Sequence, residues 1–392
     1  MHTVYVARCA GYDIDEVRAA AAEGIRALGG LETLLAGRRA IAVKPNLLKC
    51  NAPDECVTTH PAVVQSLLEA VLDSGREAAV VESPSGPLTD KGMRALYDIT
   101  GMAQAAKAAG ARLNGDLCFS TVHIENGRAV KSLPVLNAIL GSDAVISAAK
   151  LKTHSMVTYT GAAKNLFGVV PGLSKAECHF RFPQKEDFAQ MLVDIADFIH
   201  PPLSVIDAVW AMEGDGPSAG TPRHLGLMIF SDNPFAADAV AGRIIGLDWR
   251  DNPVLKCAAE RGLWSGENIR LPGGPIGTLS VPGFTKPRIH EANVLIGRVP
   301  GPLVKPLSRL FRLRPAFDAL SCVGCGVCAQ SCPADAITIK EKKARLHIQK
   351  CIRCFCCHEV CPEKAVRIKK SLPMKLMTSL GPGRKSKAPE KP

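Results

Sequence analysis

Nine of the fifteen cysteines fall between Cys322 and Cys361, and eight of those nine obey one pattern written twice. Cys322-Val-Gly-Cys325-Gly-Val-Cys328-Ala-Gln-Ser-Cys332-Pro333 follows C-x2-C-x2-C-x3-C-P. Cys351-Ile-Arg-Cys354-Phe-Cys-Cys357-His-Glu-Val-Cys361-Pro362 follows it again, 29 residues on. The repeat continues past the thiols: Ala336 matches Ala365, Ile337 matches Val366, Ile339 matches Ile368 and Lys340 matches Lys369. The N-terminal run Met-His-Thr-Val-Tyr-Val-Ala-Arg lacks a basic region followed by an apolar core, so the sequence predicts no signal peptide. No stretch reaches the roughly 18 apolar residues of a membrane-spanning helix. The expected location is therefore the cytoplasm, where thiols stay reduced and this density of cysteine points to metal rather than to a disulfide framework.

The spacing selects the metal. Four thiolates per cluster, three from one tight loop and the fourth from the other repeat, is the arrangement of two [4Fe-4S] clusters in bacterial ferredoxins. It assigns Cys322, Cys325, Cys328 and Cys361 to one cluster, and Cys332, Cys351, Cys354 and Cys357 to the other. Cys356 fits no ligand slot, because using it would change the spacing on both sides. A zinc site would show two separated C-x2-C pairs rather than two full copies with both prolines. Ala336–Ile339 and Arg345–Ile348 read as the strands of a hairpin between the repeats.

At 392 residues the chain has length for two domains, and 47% hydrophobic with 22% charged residues is ordinary globular composition. Charge marks the division. Met1 to Thr285 carries 26 Lys and Arg against 30 Asp and Glu, whereas Lys286 to Pro392 carries 22 against 7. The expected organisation is an α/β domain over 1–285, a Pro-rich basic linker over 286–315, an iron–sulfur domain over 316–371 and a disordered basic tail over 372–392. In the first of these, short apolar runs (Val4–Ala7, Ala40–Val43, Ala78–Val81, Ala144–Ser147, Ser204–Ile206, Leu225–Phe230) alternate with helical patterns (Asp15–Leu28, Gly101–Ala109, Ala236–Ile245). A further helix is expected from Pro61 to Gly75, with the Thr59 hydroxyl as its cap. This alternation predicts a largely parallel sheet, followed by a small α+β cluster domain.

Two resemblances sharpen this. Residues 313–371 resemble the dicluster 4Fe-4S ferredoxin family. Roughly residues 40–250 resemble the family catalogued as domain of unknown function 362. The latter rests on Lys44-Pro-Asn46, Thr58-Thr-His-Pro61, Lys152-Thr-His154, Gly161, Lys164-Asn165, Gly168, Asp207, Met212-Glu-Gly-Asp-Gly-Pro217 and Asp238. Together they imply an iron–sulfur protein, with fusion to a ferredoxin-like C-terminus a familiar arrangement. That family assigns no activity, so no catalytic residue is carried over.

The residues themselves suggest where a ligand binds. Lys150 to Phe182 holds Lys150, Lys152, Lys164, Lys175 and Arg181 against Glu177 alone, with His154 and His179 among hydroxyl residues. Gly161, Gly168 and Gly172 are expected to leave backbone N–H groups open, and the set suits a phosphate or carboxylate. A solvated basic loop is the competing reading. Lys44 and His60 fall after a strand and at a helix start, where α/β domains place ligand contacts. Asp207, Glu213, Asp215 and Asp238 form an acidic set that suits a divalent ion or a base, against ordinary turn chemistry for Asp215. The expected ligand-contact residues are therefore Lys44, His60, Lys152, His154, Lys164, Asn165, Asp207 and Glu213. There is no P-loop, no H-E-x-x-H, no G-x-S-x-G and no Rossmann glycine pattern.

The expected function is an oxidoreductase coupling one-electron transfer through two clusters to a small anionic substrate or cofactor on the α/β domain. The alternatives are a non-catalytic electron-transfer or cofactor-maturation protein, and a ligand-binding module with structural clusters. The expected protein partner is an acidic electron carrier of ferredoxin or flavodoxin type, because the C-terminal charge is positive. Specific nucleic-acid binding is not expected with 5% aromatics and no base-stacking module. The basic amphipathic stretch Leu303–Arg314 admits peripheral membrane contact, although packing between domains is the favoured role.

Overall fold

The computed structural model describes residues 1–266, 268–274, 279–287 and 314–369. The expected linker beyond residue 287, the stretch 303–313 and the tail from residue 370 lie outside the described residues.

The short apolar runs pair into one mixed sheet. Its strands are β1 (His2–Arg8), β2 (Ala40–Pro45), β3 (Glu77–Val80), β4 (Arg112–Leu113), β7 (Ala144–His154), β8 (Thr158–Thr160), β9 (Leu203–Glu213), β10 (Thr221–Ser231) and β11 (Ile269–Arg270). A separate hairpin pairs β5 (Phe119–His123) with β6 (Ser132–Leu136). The order is β11-β1-β10-β9-β7-β2-β3-β4, with β8 added to the far end of β7. Strands β4, β3, β2, β7 and β9 run parallel, while β10 is antiparallel to both β9 and β1. All eleven residues of β7 are buried, as expected of a strand with both faces covered. Helices Ile14–Ala27, Pro61–Asp73, Asp90–Ile99 and Met102–Ala109 cover one face. Helices Lys185–Ile199, Pro234–Ile244 and Pro253–Glu260 cover the other.

Two features of this topology position the site. From β2 the chain winds outward to β3 and β4, then returns to β7 on the opposite side of β2. Connections therefore diverge at the carboxyl ends of β2 and β7, and such a reversal opens a crevice. The helix at Pro61 is capped differently from the sequence expectation. The Nδ1 of His60, not the Thr59 hydroxyl, accepts from Ala62 N. Thr59 Oγ1 instead accepts from Asn46 N at 2.9 Å and donates to Ala148 O at 2.7 Å, tying β2 to β7 across the crevice.

The cysteine repeat forms its own small unit. β12 (Arg314–Phe317) pairs antiparallel with β15 (Val366–Lys369), and β13 (Ile337–Lys340) with β14 (Lys343–Leu346). The second pair is the expected hairpin, with its strands placed one to two residues away from the expected bounds. Short helices Val327–Gln330 and Cys356–Val360 occupy equivalent places in the two repeats. Its interior is largely sulfur: Cys322, Cys328, Cys357 and Cys361 pack with Ile337, Ala344, Ala365 and Val366. This unit seats on the carboxyl edge of the large sheet. Lys49 Nζ donates to Cys361 O at 2.5 Å, Ser218 Oγ donates to His358 O at 3.2 Å, and Lys364 pairs with Glu55.

Candidate functional site

The crevice is floored by a saturated ammonium. Lys44, at the end of β2, donates to Glu82 Oε2 at 2.9 Å, Pro45 O at 2.9 Å and Asn165 Oδ1 at 3.1 Å. Glu82 follows β3 and also accepts from Leu47 N and Ser83 N. Asn165 returns Nδ2–H bonds to Lys44 O and Ser147 Oγ, linking β2 to β7. Burial pushes the Lys44 ammonium down, and the Glu82 carboxylate works against that shift.

One wall comes from the basic segment, which is folded inward rather than solvated. Lys175 Nζ sits among Ser83 O, Val170 O, Ser83 Oγ and Pro84 O, without a carboxylate partner, and burial pulls its pKa down to about 7. His179 stacks on Phe188 and meets Phe167 edge-on. Its Nδ1 is sealed from solvent with no hydrogen bond, and burial lowers its pKa to about 4. Lys164 reaches over Phe167, 5.9 Å from the ring centroid, and makes no hydrogen bond or ion pair among the described residues. Burial lowers its pKa, against the pull of Glu359 and Cys356.

The opposite wall belongs to the cysteine repeat. Ser331, Cys356, Glu359 and Val360 close a cavity lined from the α/β side by Lys44, Glu82, Lys164, Asn165, Lys175 and His179. It encloses about 650 Å³ including its mouth. Behind this wall His154 Nε2 stands 3.0 Å from Glu359 Oε1, both fully or nearly buried. His154 Nδ1 accepts from Met156 N at 3.0 Å, which leaves the ring proton of the neutral imidazole on Nε2. Burial, then the neighbouring Lys164 charge, lowers the His154 pKa to about 4, so the ring is neutral. Burial disfavours the charged Glu359, but the adjacent His154 and the Lys164 charge work against it and hold its pKa below the usual carboxylate range.

The remaining expected ligand residues lie elsewhere. Lys152 is buried behind Asn46 and donates to Asn46 Oδ1 at 2.7 Å and Val57 O at 2.6 Å. His60 and Asp207 belong to a second buried centre. Lys150 Nζ lies 3.0 Å from Asp207 Oδ2 and 2.7 Å from Tyr12 Oη, and the Tyr12 ring stacks on His60 at 3.6 Å. Asp207 also accepts from His60 N and Tyr12 Oη. Glu213 accepts from Thr285 N, and Asp238 from Ala162 N and Ala163 N. The acidic set is therefore dispersed: each of these three carboxylates is used locally. Among the described residues no three His, Cys, Asp or Glu groups converge on a single-ion site.

The glycines also differ from expectation. A Cβ at Gly161 would overlap the Asp238 carboxylate, one at Gly168 would overlap Glu82 and Lys44, and one at Gly172 would overlap Gly86 O. They permit close packing of protein on protein rather than open donors to a ligand. Glu82, Ser331, Cys356 and Glu359 were not among the expected ligand residues. Glu82 had one available signal, its place directly after a parallel strand.

The repeat's own thiols suit clusters. Cys322, Cys325, Cys328 and Cys361 line one pocket of about 330 Å³, closed by Phe317, Ile339, Ala344 and Val366. The buried Cys357 thiol has Cys354, Cys351, Cys328 and Cys332 near enough to push its pKa up, after burial itself. Backbone N–H groups point at sulfur from Ala344 to Cys322 at 3.4 Å, Ala365 to Cys361 at 3.3 Å and Ala336 to Cys332 at 3.3 Å. Such donors offset the negative charge of a thiolate-bound cluster.

This constellation defines an iron–sulfur protein, an α/β sheet domain carrying a 4Fe-4S dicluster domain that matches residues 314–362. The chain belongs to the family described as domain of unknown function (DUF362), whose model matches residues 41–243. It is 30% identical over 268 residues to the thylakoid-associated protein sll1697 of Synechocystis sp., covering 67% of this chain and 80% of that one. Among solved structures, the lactate racemase apoprotein of Thermoanaerobacterium thermosaccharolyticum aligns at 10% identity and a TM-score of 0.34, over 52% of this chain and 50% of that one. A Thermotoga maritima protein aligns at 12% identity and a TM-score of 0.31, over 51% of each chain. The chain thus spans about half the length of these two structures, and neither likeness carries a functional argument. No described helix is long and apolar enough to cross a membrane.

Proposed function

We propose that this chain is a cytoplasmic redox protein that exchanges single electrons between an external carrier protein and a small anionic ligand held in the interdomain cavity. Cys322, Cys325, Cys328 and Cys361 hold one [4Fe-4S] cluster, and Cys332, Cys351, Cys354 and Cys357 the other. When bound, each cluster supplies a site that accepts or donates one electron. The observation that carries this reading is the composite wall. Cys356, Glu359 and Val360 lie within the second cysteine motif and line the same cavity as Lys44, Lys164 and Lys175. A ligand there sits beside the loop that supplies three thiolates of the second cluster.

In this reading the protein's own residues bind and orient. Lys164 supplies the free charge, Asn165 and Lys44 fix the floor, and His179 and Phe167 limit water. The test is anaerobic purification, mass spectrometry of what co-purifies, and reductive titration of the clusters with and without it. A co-purifying anion that shifts the cluster potential, and that is lost in Lys164→Ala with iron retained, is the expected result. Clusters whose reduction is indifferent to the cavity's contents would make them structural or those of a simple carrier.

A further inference from the structure

Deepening that reading, and resting on it, we infer that the loop of the first cysteine motif is the electron port. An acidic carrier protein docks on the face formed by Leu320, Val323 and Cys325, with the Lys340–Lys343 hairpin turn as its charged rim.

The two copies of the motif meet opposite surroundings. Across the 29-residue offset, Val327 matches Cys356 and Gln330 matches Glu359. Cys356 and Glu359 are buried and line the interdomain cavity, Glu359 beside His154. Gln330 is exposed and Val327 half-buried. Cys325 is likewise exposed, whereas its counterpart Cys354 is half-buried. Ser331 of the first copy does line the cavity, but it adjoins Cys332, a ligand of the second cluster in the crossed assignment. The ligand loop of the second cluster is thus turned to the cavity, and that of the first to solvent. Electron exchange between proteins falls steeply with distance, so a carrier approaches most closely at Cys325.

The surroundings of Cys325 suit a protein partner. Leu320 is 94% exposed and Val323 57%, two large apolar side chains beside one exposed cluster thiol. The turn of the β13–β14 hairpin packs on the same loop. A Cβ at Gly324 would overlap Lys342 O, and Lys343 Nζ donates to Cys322 O at 2.6 Å. Lys340 and Lys342 are exposed and make no ion pair among the described residues.

Most neighbouring carboxylates are already engaged. Glu341 pairs with Arg345, and Asp318 accepts from Leu320 N and Ser321 Oγ; exposed Glu363, at the thiol pocket, is the exception. An apolar centre with a cationic rim fits a carrier whose redox centre is ringed by Asp and Glu. Redox encounters use small interfaces of this kind.

The experiment uses anaerobic full-length holoprotein and the hydroquinone of an acidic flavodoxin. In each transfer the hydroquinone gives up one electron to become the semiquinone, and the protein is reduced by one electron. Stopped-flow rates at low salt are compared for wild type, Leu320→Ser, the double variant Lys340→Glu/Lys342→Glu, and Arg26→Glu/Lys107→Glu. The last makes the same change in net charge on the α/β domain. Iron content and reduction by dithionite are measured on each.

The Lys340→Glu/Lys342→Glu variant should slow transfer roughly tenfold or more, and Leu320→Ser by a smaller factor. Iron, dithionite reduction and the Arg26→Glu/Lys107→Glu rate should stay near wild type. Carbodiimide coupling mapped by mass spectrometry should join flavodoxin carboxylates to Lys340, Lys342 or Lys343. Unchanged rates in both patch variants, equal slowing in the α/β variant, or cross-links confined to other lysines would each overturn the port. The ligand-coupled redox reading would survive those results, since it is tested by the cluster potential with and without the cavity's contents. A wild-type protein reduced by dithionite but not by flavodoxin overturns the port and the carrier class together.

Discussion

His154, at the end of β7, and Glu359, between two cysteines of the second motif, meet at 3.0 Å across the boundary between the two domains. Neither His154 Nε2 nor Glu359 Oε1 has a hydrogen bond of good geometry, so the contact is a close polar approach between a buried imidazole and a buried carboxylate. His154→Phe should cost about 1–3 kcal/mol and lower the Tm of the anaerobic holoprotein. Glu359→Gln keeps an acceptor and should cost less. Equal losses would mean that the imidazole is charged after all.

Metal content separates the ninth cysteine from its neighbours. The intact protein should contain about eight iron and eight acid-labile sulfide per chain. Cys356→Ser should leave that content unaltered, because its side chain lines the ligand cavity, whereas Cys357→Ser should lose most of one cluster. Near-stoichiometric zinc without labile sulfide would refute the cluster assignment outright.

Lys150 and Lys164 should respond oppositely to the same change. Lys150 is paired with Asp207, both shut from water, so Lys150→Met strands a carboxylate and should cost about 3–5 kcal/mol. Lys164 has no carboxylate partner, so Lys164→Met should leave Tm unchanged or raise it. Chemical denaturation of both variants beside wild type checks the contrast.

Anion affinity should depend on pH through Lys175. Its ammonium faces Ser83, Pro84 and Val170 oxygens; burial lowers its pKa to about 7, with Glu82 and the Cys178 thiol opposing that shift and Lys44 and Lys164 adding to it. An anion favours the protonated lysine. Affinity should therefore be full below pH 7 and fall as pH rises above it, with proton uptake on binding. Titrations in buffers of different ionisation heat measure that uptake directly.

Positive charge around the clusters should steer an acidic donor. Between Arg314 and Lys369 ten Lys and Arg face five Asp and Glu. Electron transfer from an acidic flavodoxin or ferredoxin should slow markedly between low and physiological salt. A rate indifferent to salt would remove that class of partner.

The cysteine pattern was legible because its chemistry is local: spacing along a few residues sets the ligand loop. Lys44 and Lys164 were found by a strand end and by local charge, Asn165 through the family resemblance, and the structure brings the three into one cavity. His60 and Asp207 were expected there and are not, for a reason no periodicity reveals. The pairing of β7 with β9 shifts register between Lys150 and Lys152. Two lysines on one face of an ideal strand are thereby aimed at different centres, Lys150 to Asp207 and Lys152 to Asn46. Glu82 has no charged neighbour in sequence, and only the adjacency of β2 and β3 brings it to Lys44. The antiparallel return of β10 was likewise hidden, since an apolar run carries no direction.

The cavity takes one wall from each domain, so Ser331, Cys356 and Glu359 stand opposite Lys164 only while the cysteine repeat keeps its fold. In the proposed function, cluster loading and ligand retention would be linked through that shared wall, and loss of iron should loosen the ligand as well as stop electron exchange.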